Sequence, residues 1–185
     1  MSDNKRIYIV LSQTGTIFSR ILKVLYKREY NHASVSINES MEPMYSFGRL
    51  NAYNLFYAGF VKESVRWGTF KRFHKTKSKI LAVDVDDESY TRIVDAISDM
   101  ERNKNEYKYN YKSLFFAFFK IHKAYKNRYY CSEFIKYILE VGNVEGCDKL
   151  PDIIHPTDFL VIKHEEIYCG LLKEYKASIK EKMNF

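Results

Sequence analysis

The sequence predicts an α+β fold, a small antiparallel sheet packed with helices, and three observations predict it. Short runs of β-branched and aromatic residues follow one another near the N-terminus at RIYIVLS (6–12), NHASVSIN (31–38) and MYSFGR (44–49). Longer segments further on space their apolar residues at helical intervals. No repeat, low-complexity tract or Pro/Gly/Ser-rich linker breaks the 185 residues, which carry only seven glycines and three prolines. One domain over residues 1–185 is expected, large enough to bury a core without covalent staples.

Taken in order, RIYIVLS reads as a buried strand. In TGTIFSRILKVLYKREY (14–30) Ile17, Ile21, Leu22, Val24 and Leu25 keep helical spacing, with Thr14 or Thr16 as cap. NHASVSIN alternates strictly: His32, Ser34, Ser36 and Asn38 on one face, Ala33, Val35 and Ile37 on the other, the pattern of a half-buried strand. The turn residues NESMEP lead into MYSFGR, so a hairpin or meander is expected. KILAVDVD (79–86) is a further strand, and Asp86 or Asp87 caps the amphipathic helix that runs through ESYTRIVDAISDMERN. YNYKSLFFAFFKIHK (109–123) reads as an aromatic-rich helix. CSEFIKYILEVG reads as another, ending at Gly142 or Asn143, residues that tolerate a left-handed cap. A short strand at DFLVI (158–162) and a charged C-terminal helix complete the expectation.

Lys plus Arg number 30 against 23 Asp plus Glu, a formal charge of +7, and the excess gathers at KRFHKTKSK (71–79) and KIHKAYKNR (120–128). Such a surface attracts anions. The tyrosines and phenylalanines among these lysines keep open a non-catalytic role as a binding protein for nucleic acid or an anionic membrane. The three cysteines, 131, 147 and 169, form no disulfide framework and suit a reducing compartment, so a cytoplasmic location is expected. The N-terminus lacks a signal-peptide core. The longest apolar run, LFFAFF (114–119), falls short of the roughly 20 residues that cross a bilayer, so no transmembrane segment is expected.

No metal and no cofactor are expected. Cys147, His155, His164 and Cys169 are separated by seven, eight and four residues, which matches no compact zinc motif. The aspartates of DVDD are explained by a strand end and a helix cap, and QTGT lacks the lysine of a phosphate-binding loop.

Cys131 is the residue that raises a question of chemistry. In a helix starting there, Phe134, Ile135, Ile138 and Leu139 form one apolar stripe, and the cysteine sits in the first turn at its margin. Free amides and the positive end of the helix dipole favour a thiolate at that place, whereas Glu133 opposes it unless it points away. A small residue plugging a core is the alternative. A nucleophile needs a base, and five histidines compete. His74 lies in the most basic run, His122 follows a helix of aromatics, His155 precedes a proline, and His164 sits beside two glutamates at a presumed helix start. His32 differs by opening the one cleanly alternating strand, on the face of the serines.

Histidine comes first and cysteine 99 residues later, without the surroundings of caspase-like or chymotrypsin-like cysteine enzymes. VLSQTGTIFSRILK, YNHASVSI, MYSFGR with the following NAYNLFYAGF, YYCSEFI and HPTDFL together resemble, in the right order and over nearly the whole chain, the circularly permuted papain-like family related to the NlpC cell-wall peptidases, the YiiX-like hydrolases. The resemblance implies a permuted papain-like fold with Cys131 as nucleophile and His32 as general base. It places the third, orienting residue on the strand after the histidine strand, where the family often has a carboxylate or other polar group. This chain has no acid there, so Ser46 comes first, Tyr45 second, and Glu42 in the preceding turn stays open. The implied reaction is acyl transfer on a small peptide, amide or ester. The Cys131 amide holds the oxyanion, Tyr129 or Tyr130 supplies a second donor or lines the pocket, and Gln13 is a further wall. A lipid acyltransferase or phospholipase on the same fold, with LFFAFF lining an acyl groove, shares the same pair of residues.

Overall fold

Six antiparallel strands make the main sheet of the computed structural model, which describes residues 5–14, 29–51 and 54–177. In chain order they are β1 (Lys5–Gln13), β2 (His32–Ser36), β3 (Met44–Asn51), β4 (Asn54–Glu63), β5 (Lys77–Val85) and β8 (Glu165–Leu171). Across the sheet the order is β4-β3-β2-β1-β5-β8. β1 and β5 are paired along their whole lengths, from Lys5 opposite Val85 to Gln13 opposite Lys77, and form its rigid centre. A second, two-stranded parallel ladder joins β6 (Lys108–Tyr109) to β7 (Arg128–Tyr129). The expected α+β class is what the chain adopts.

Each face of the sheet is covered, for reasons visible in the strand patterns. Ile7, Ile9 and Leu11 of β1, Ala33 and Val35 of β2 and Leu81, Val83 and Val85 of β5 point to the same side and meet helices α2 (Asp87–Arg102) and α4 (Cys131–Val141). The other side carries Tyr8, Val10, Ile80 and Ala82 and is closed by Met41, Met44, Leu172 and Phe70 of the short helix α1 (Gly68–Arg72). β2 is therefore buried on both faces, Ser34 and Ser36 included, and is not the half-buried strand that its alternation suggests. Alternation reports which residues share a face. It does not report what lies on it.

Helix α4 starts at Cys131, as its sequence predicts, and buries the stripe Phe134, Ile135, Ile138 and Leu139. Burying each such side chain contributes about 1.5–3 kcal/mol, so Ile138→Ala is expected to cost about 2–5 kcal/mol in a denaturant melt. Its far end is held by α2: the Arg92 guanidinium donates to the carbonyls of Val141 (3.1 Å) and Gly142 (2.9 Å), a cation on the negative helix end. Gly142 is needed there because a Cβ would lie 2.6 Å from Ile93 Cδ1. The left-handed cap falls on Asn143, at φ 53°.

Several local expectations change. The aromatic helix, α3 (Tyr111–Phe118), is shorter than the 109–123 expected, because residues 108–109 and 128–129 pair as strands around it. DFLVI lies in a 3₁₀ helix (Pro156–Val161), started by Pro156 and by the Asp158 carboxylate accepting from the His155 amide at 2.8 Å. After His164, which precedes a strand rather than a helix, come β8 and a 3₁₀ turn at Leu172–Glu174, and the charged C-terminal helix expected beyond lies partly outside the described residues. β8 presents Glu165 to Arg6 and Glu166 to Lys79 along the sheet edge. The helix expected over 14–30 lies largely outside the described residues. Among them, no helix is long and apolar enough to cross a membrane.

Candidate functional site

The site forms where the sheet comes apart. β2 and β3 register at Val35 opposite Tyr45, and towards His32 the two strands no longer pair. There the Ala33 carbonyl accepts from the Ser46 hydroxyl at 2.7 Å in place of a strand partner, and the Ala33 amide faces the Cys131 sulfur. The first turn of α4 occupies the opening, so a sulfur based on the helix side of the sheet meets an imidazole based on the other side.

His32 is gripped from that other side. Its Nε2 lies 2.9 and 3.0 Å from the two carboxylate oxygens of Glu63, at the end of β4. Register brings Glu63 there: β4 pairs with β3 as Met44 opposite Glu63, Ser46 opposite Val61 and Gly48 opposite Gly59, which puts Glu63 on the His32 face. Ser34, two residues along β2 on the same face, donates its hydroxyl to Glu63 Oε2 at 2.5 Å and fixes the carboxylate. Gly48 lies beside the pair, and a Cβ there would stand 3.5 Å from His32 Cε1 and Glu63 Oε1, an ordinary contact. An ionised carboxylate only accepts, so Nε2 carries a proton, and Nδ1 is the nitrogen left for the sulfur.

The electrostatics follow from this packing. Burial alone would lower the His32 pKa, but the Glu63 charge and hydrogen bonds with Cys131 and Glu63 outweigh it and raise it to about 10. Burial would likewise raise that of Cys131, yet the hydrogen bond and charge of His32 and the Ala33 amide bring it below the ordinary thiol value. Both shifts favour a thiolate beside an imidazolium. Cys131 is buried, 7% exposed as a residue.

Glu133, the anion that threatened this thiolate, points away. Its Oε2 accepts from the Tyr130 amide (3.0 Å) and from Asn110 Nδ2 (3.2 Å), and burial raises its pKa to about 7. Near neutrality it is therefore half protonated and adds less than a full negative charge. Two further features mark the place. The Ser12 hydroxyl, opposite His32 in the β1–β2 register, is buried without a hydrogen-bond partner, and the buried Ser132 hydroxyl, next to Cys131, has the sulfur itself as its contact. Unmet buried polar groups cost about 1–3 kcal/mol each and collect at sites that hold something else.

Of the residues that the sequence nominates, the structure brings Cys131 and His32 together. The position beside the imidazole belongs to Glu63, and Ser46, the first choice for it, spends its hydroxyl on the Ala33 carbonyl. Tyr45 faces the opposite side of β3, stacked on Phe60 at 6.1 Å. Glu42 accepts from the Ser64 hydroxyl at 2.9 Å. Tyr129 packs among Phe47, Tyr107 and Tyr137, and the Tyr130 hydroxyl donates to the Ile154 carbonyl at 3.0 Å, so neither phenol is aimed at the sulfur. Gln13 ends β1 at the His32 end of the sheet, one residue past Ser12. Tyr109, which sequence reasoning passed over, is the phenol that feels the sulfur: burial first, then the Cys131 charge, raises its pKa and keeps its hydroxyl a donor.

Among the described residues no cluster of His, Cys, Asp and Glu could hold a metal ion. Comparison with protein-family models, with curated proteins and with solved structures returns no match.

Proposed function

We propose that the chain is a cysteine hydrolase of permuted papain-like fold, cleaving an amide, peptide or ester bond through Cys131, His32 and Glu63. The observation that carries the reading is the buried chain of contacts from sulfur through imidazole to carboxylate, built from three separate elements and reached through a lapse in a sheet. A core-plugging cysteine needs none of these partners.

The chemistry runs in two halves. The Cys131 thiolate adds to the carbonyl carbon, and the oxyanion is met by the Cys131 amide and the Tyr109 hydroxyl. As the tetrahedral adduct collapses, the His32 imidazolium gives its proton to the departing nitrogen or oxygen, leaving a thioester on Cys131. His32, now neutral, takes a proton from water, and the resulting hydroxide releases the acid and restores the thiolate. Glu63 keeps the ring oriented and supports its positive charge, the part that an acidic partner plays in triads generally.

Site-mapped alkylation with iodoacetamide below neutral pH tests the reading. Cys131 should react well ahead of Cys147, whose pKa burial raises, and the difference should vanish in His32→Ala. Equal, slow labelling of both thiols would refute an activated nucleophile. A screen of peptide, amide and lipid-ester substrates against a Cys131→Ala control then identifies the bond cleaved.

A further inference from the structure

Helix α3 packs Leu114 on the core and buries Ala117, but leaves two phenylalanines uncovered. Phe115 is 62% exposed and Phe119 55%, with Ile121 just beyond at 46%. Phe115 and Phe116, with Tyr111, Lys112 and Tyr125, line a shallow recess of about 390 Å³. Large hydrophobes gathered on one short helix and its exit are not the scattered exposure that any surface shows.

The charge around them has one sign. From Tyr107 to Ser132 the chain contains no aspartate or glutamate, while it carries Lys108, Lys112, Lys120, Lys123, Lys126 and Arg128. The lysines stand next to the rings: Lys123 Nζ lies 4.3 Å from the Phe116 ring centre and Lys112 Nζ 6.0 Å from that of Tyr125. We propose that this face of α3, with the 119–126 segment that follows it, docks on an anionic lipid bilayer, the phenylalanines entering the headgroup boundary and the lysines meeting lipid phosphates. An apolar face rimmed by cations is the composition that binds in the plane of such an interface.

Single-stranded nucleic acid, the other polyanion that a basic aromatic surface attracts, fits less well. Bases stack on rings laid flat and open. Here Phe115 meets Phe116 at 69° and Phe119 at 63°, edge against face, so these three rings form no parallel platform, and Ile121 has no ring to offer. The face is tied to the candidate site through Asn110, the cap of α3, which bonds Glu133 in the first turn of α4. A docked protein would thus hold the Cys131 opening close to the lipid.

Flotation with vesicles of equimolar phosphatidylglycerol and phosphatidylcholine tests this, with phosphatidylcholine vesicles and a fluorescent oligothymidylate as comparators. Binding is expected to the phosphatidylglycerol vesicles and to fall on the order of tenfold or more in Phe115→Ser/Phe119→Ser and in Lys120→Glu/Lys126→Glu. The altered residues are exposed, and circular dichroism verifies folding; single substitutions replace either pair if it unfolds. Unchanged binding in both pairs, equal binding to both vesicle types, or oligothymidylate held more tightly than vesicles would each overturn the proposal. Cys131→Ala should bind like the parent, so loss of hydrolysis and loss of docking are read separately.

Discussion

Helices α2 and α4 lie on the same face of the sheet and bury similar stripes, yet their first turns are finished differently. α2 is closed by its own residues: the Asp86 carboxylate accepts from the Ser89 amide at 2.6 Å and satisfies the N-terminus. α4 begins at Cys131, and its own Glu133 reaches back to the Tyr130 amide at 3.0 Å, as in a capping box, while also accepting from Asn110 at 3.2 Å. At Cys131 burial raises the thiol pKa, and the hydrogen bond and charge of His32, with the Ala33 amide, bring it down. Both ends bring their own carboxylate, and α4 differs in carrying a cysteine in its first turn, packed beside His32.

Substitutions that exchange these roles break or sharpen the contrast. Cys131→Ala has the largest expected effect: turnover and rapid alkylation fall to background while the thermal melt changes little. His32→Ala should do nearly the same to turnover. Glu63→Gln comes next, with a loss of about a hundredfold or more in kcat, by analogy with removal of the acidic member of other triads. In that variant the imidazole pKa, followed by NMR titration, should move down from about 10, because the charge that raises it is gone. An unmoved imidazole pKa would detach Glu63 from the site.

Glu133→Gln has a subtler signature, in pH rather than rate. Because the folded-state pKa of Glu133 is raised to about 7 from 4.5, its contribution to stability is complete below about pH 4.5 and is lost as pH rises through about 7. Glutamine removes that slope, so the variant should gain on the parent in urea melts above pH 7 and not below pH 4.5. Smallest of all is Asp86→Ala, a modest fall in Tm with the alkylation rate of Cys131 unchanged. A change in thiol reactivity there would abolish the distinction between the two helix ends.

How much of this the sequence discloses depends on the distance over which each feature is determined. The start of α4 and its buried stripe are local: spacing marks Phe134, Ile135, Ile138 and Leu139, and all four are buried. His32 stands out by its place on β2, another local pattern. Glu63 is invisible in the same way, because nothing within ten residues relates it to His32. Two strand registers, β2 with β3 and β3 with β4, bring it across 31 positions. The signal the sequence does hold is the carboxylate closing FYAGFVKE (56–63), a run separated by six residues from MYSFGR (44–49). The tail failed for the opposite reason: DFLVI has strand composition, and a proline with an Asp158 cap overrides it. The sheet's lapse beside Ala33 has no sequence signature, since it records what α4 displaces.

The β3–β4 hairpin makes chemistry depend on counting. Side chains alternate along a strand, so sliding β4 past β3 by one position would turn Glu63 to the helix side of the sheet and aim a neighbour at His32. The bulge between Arg49 and Asn51 lies at the loop end, leaving Met44–Gly48 against Gly59–Glu63 as the stretch that would slip. A variant in which β4 is shifted by one position should therefore lose the fast alkylation of Cys131, and unchanged labelling would show that the register does not matter. For the proposed nucleophile, strand register would then matter as much as the identity of the residues beside it.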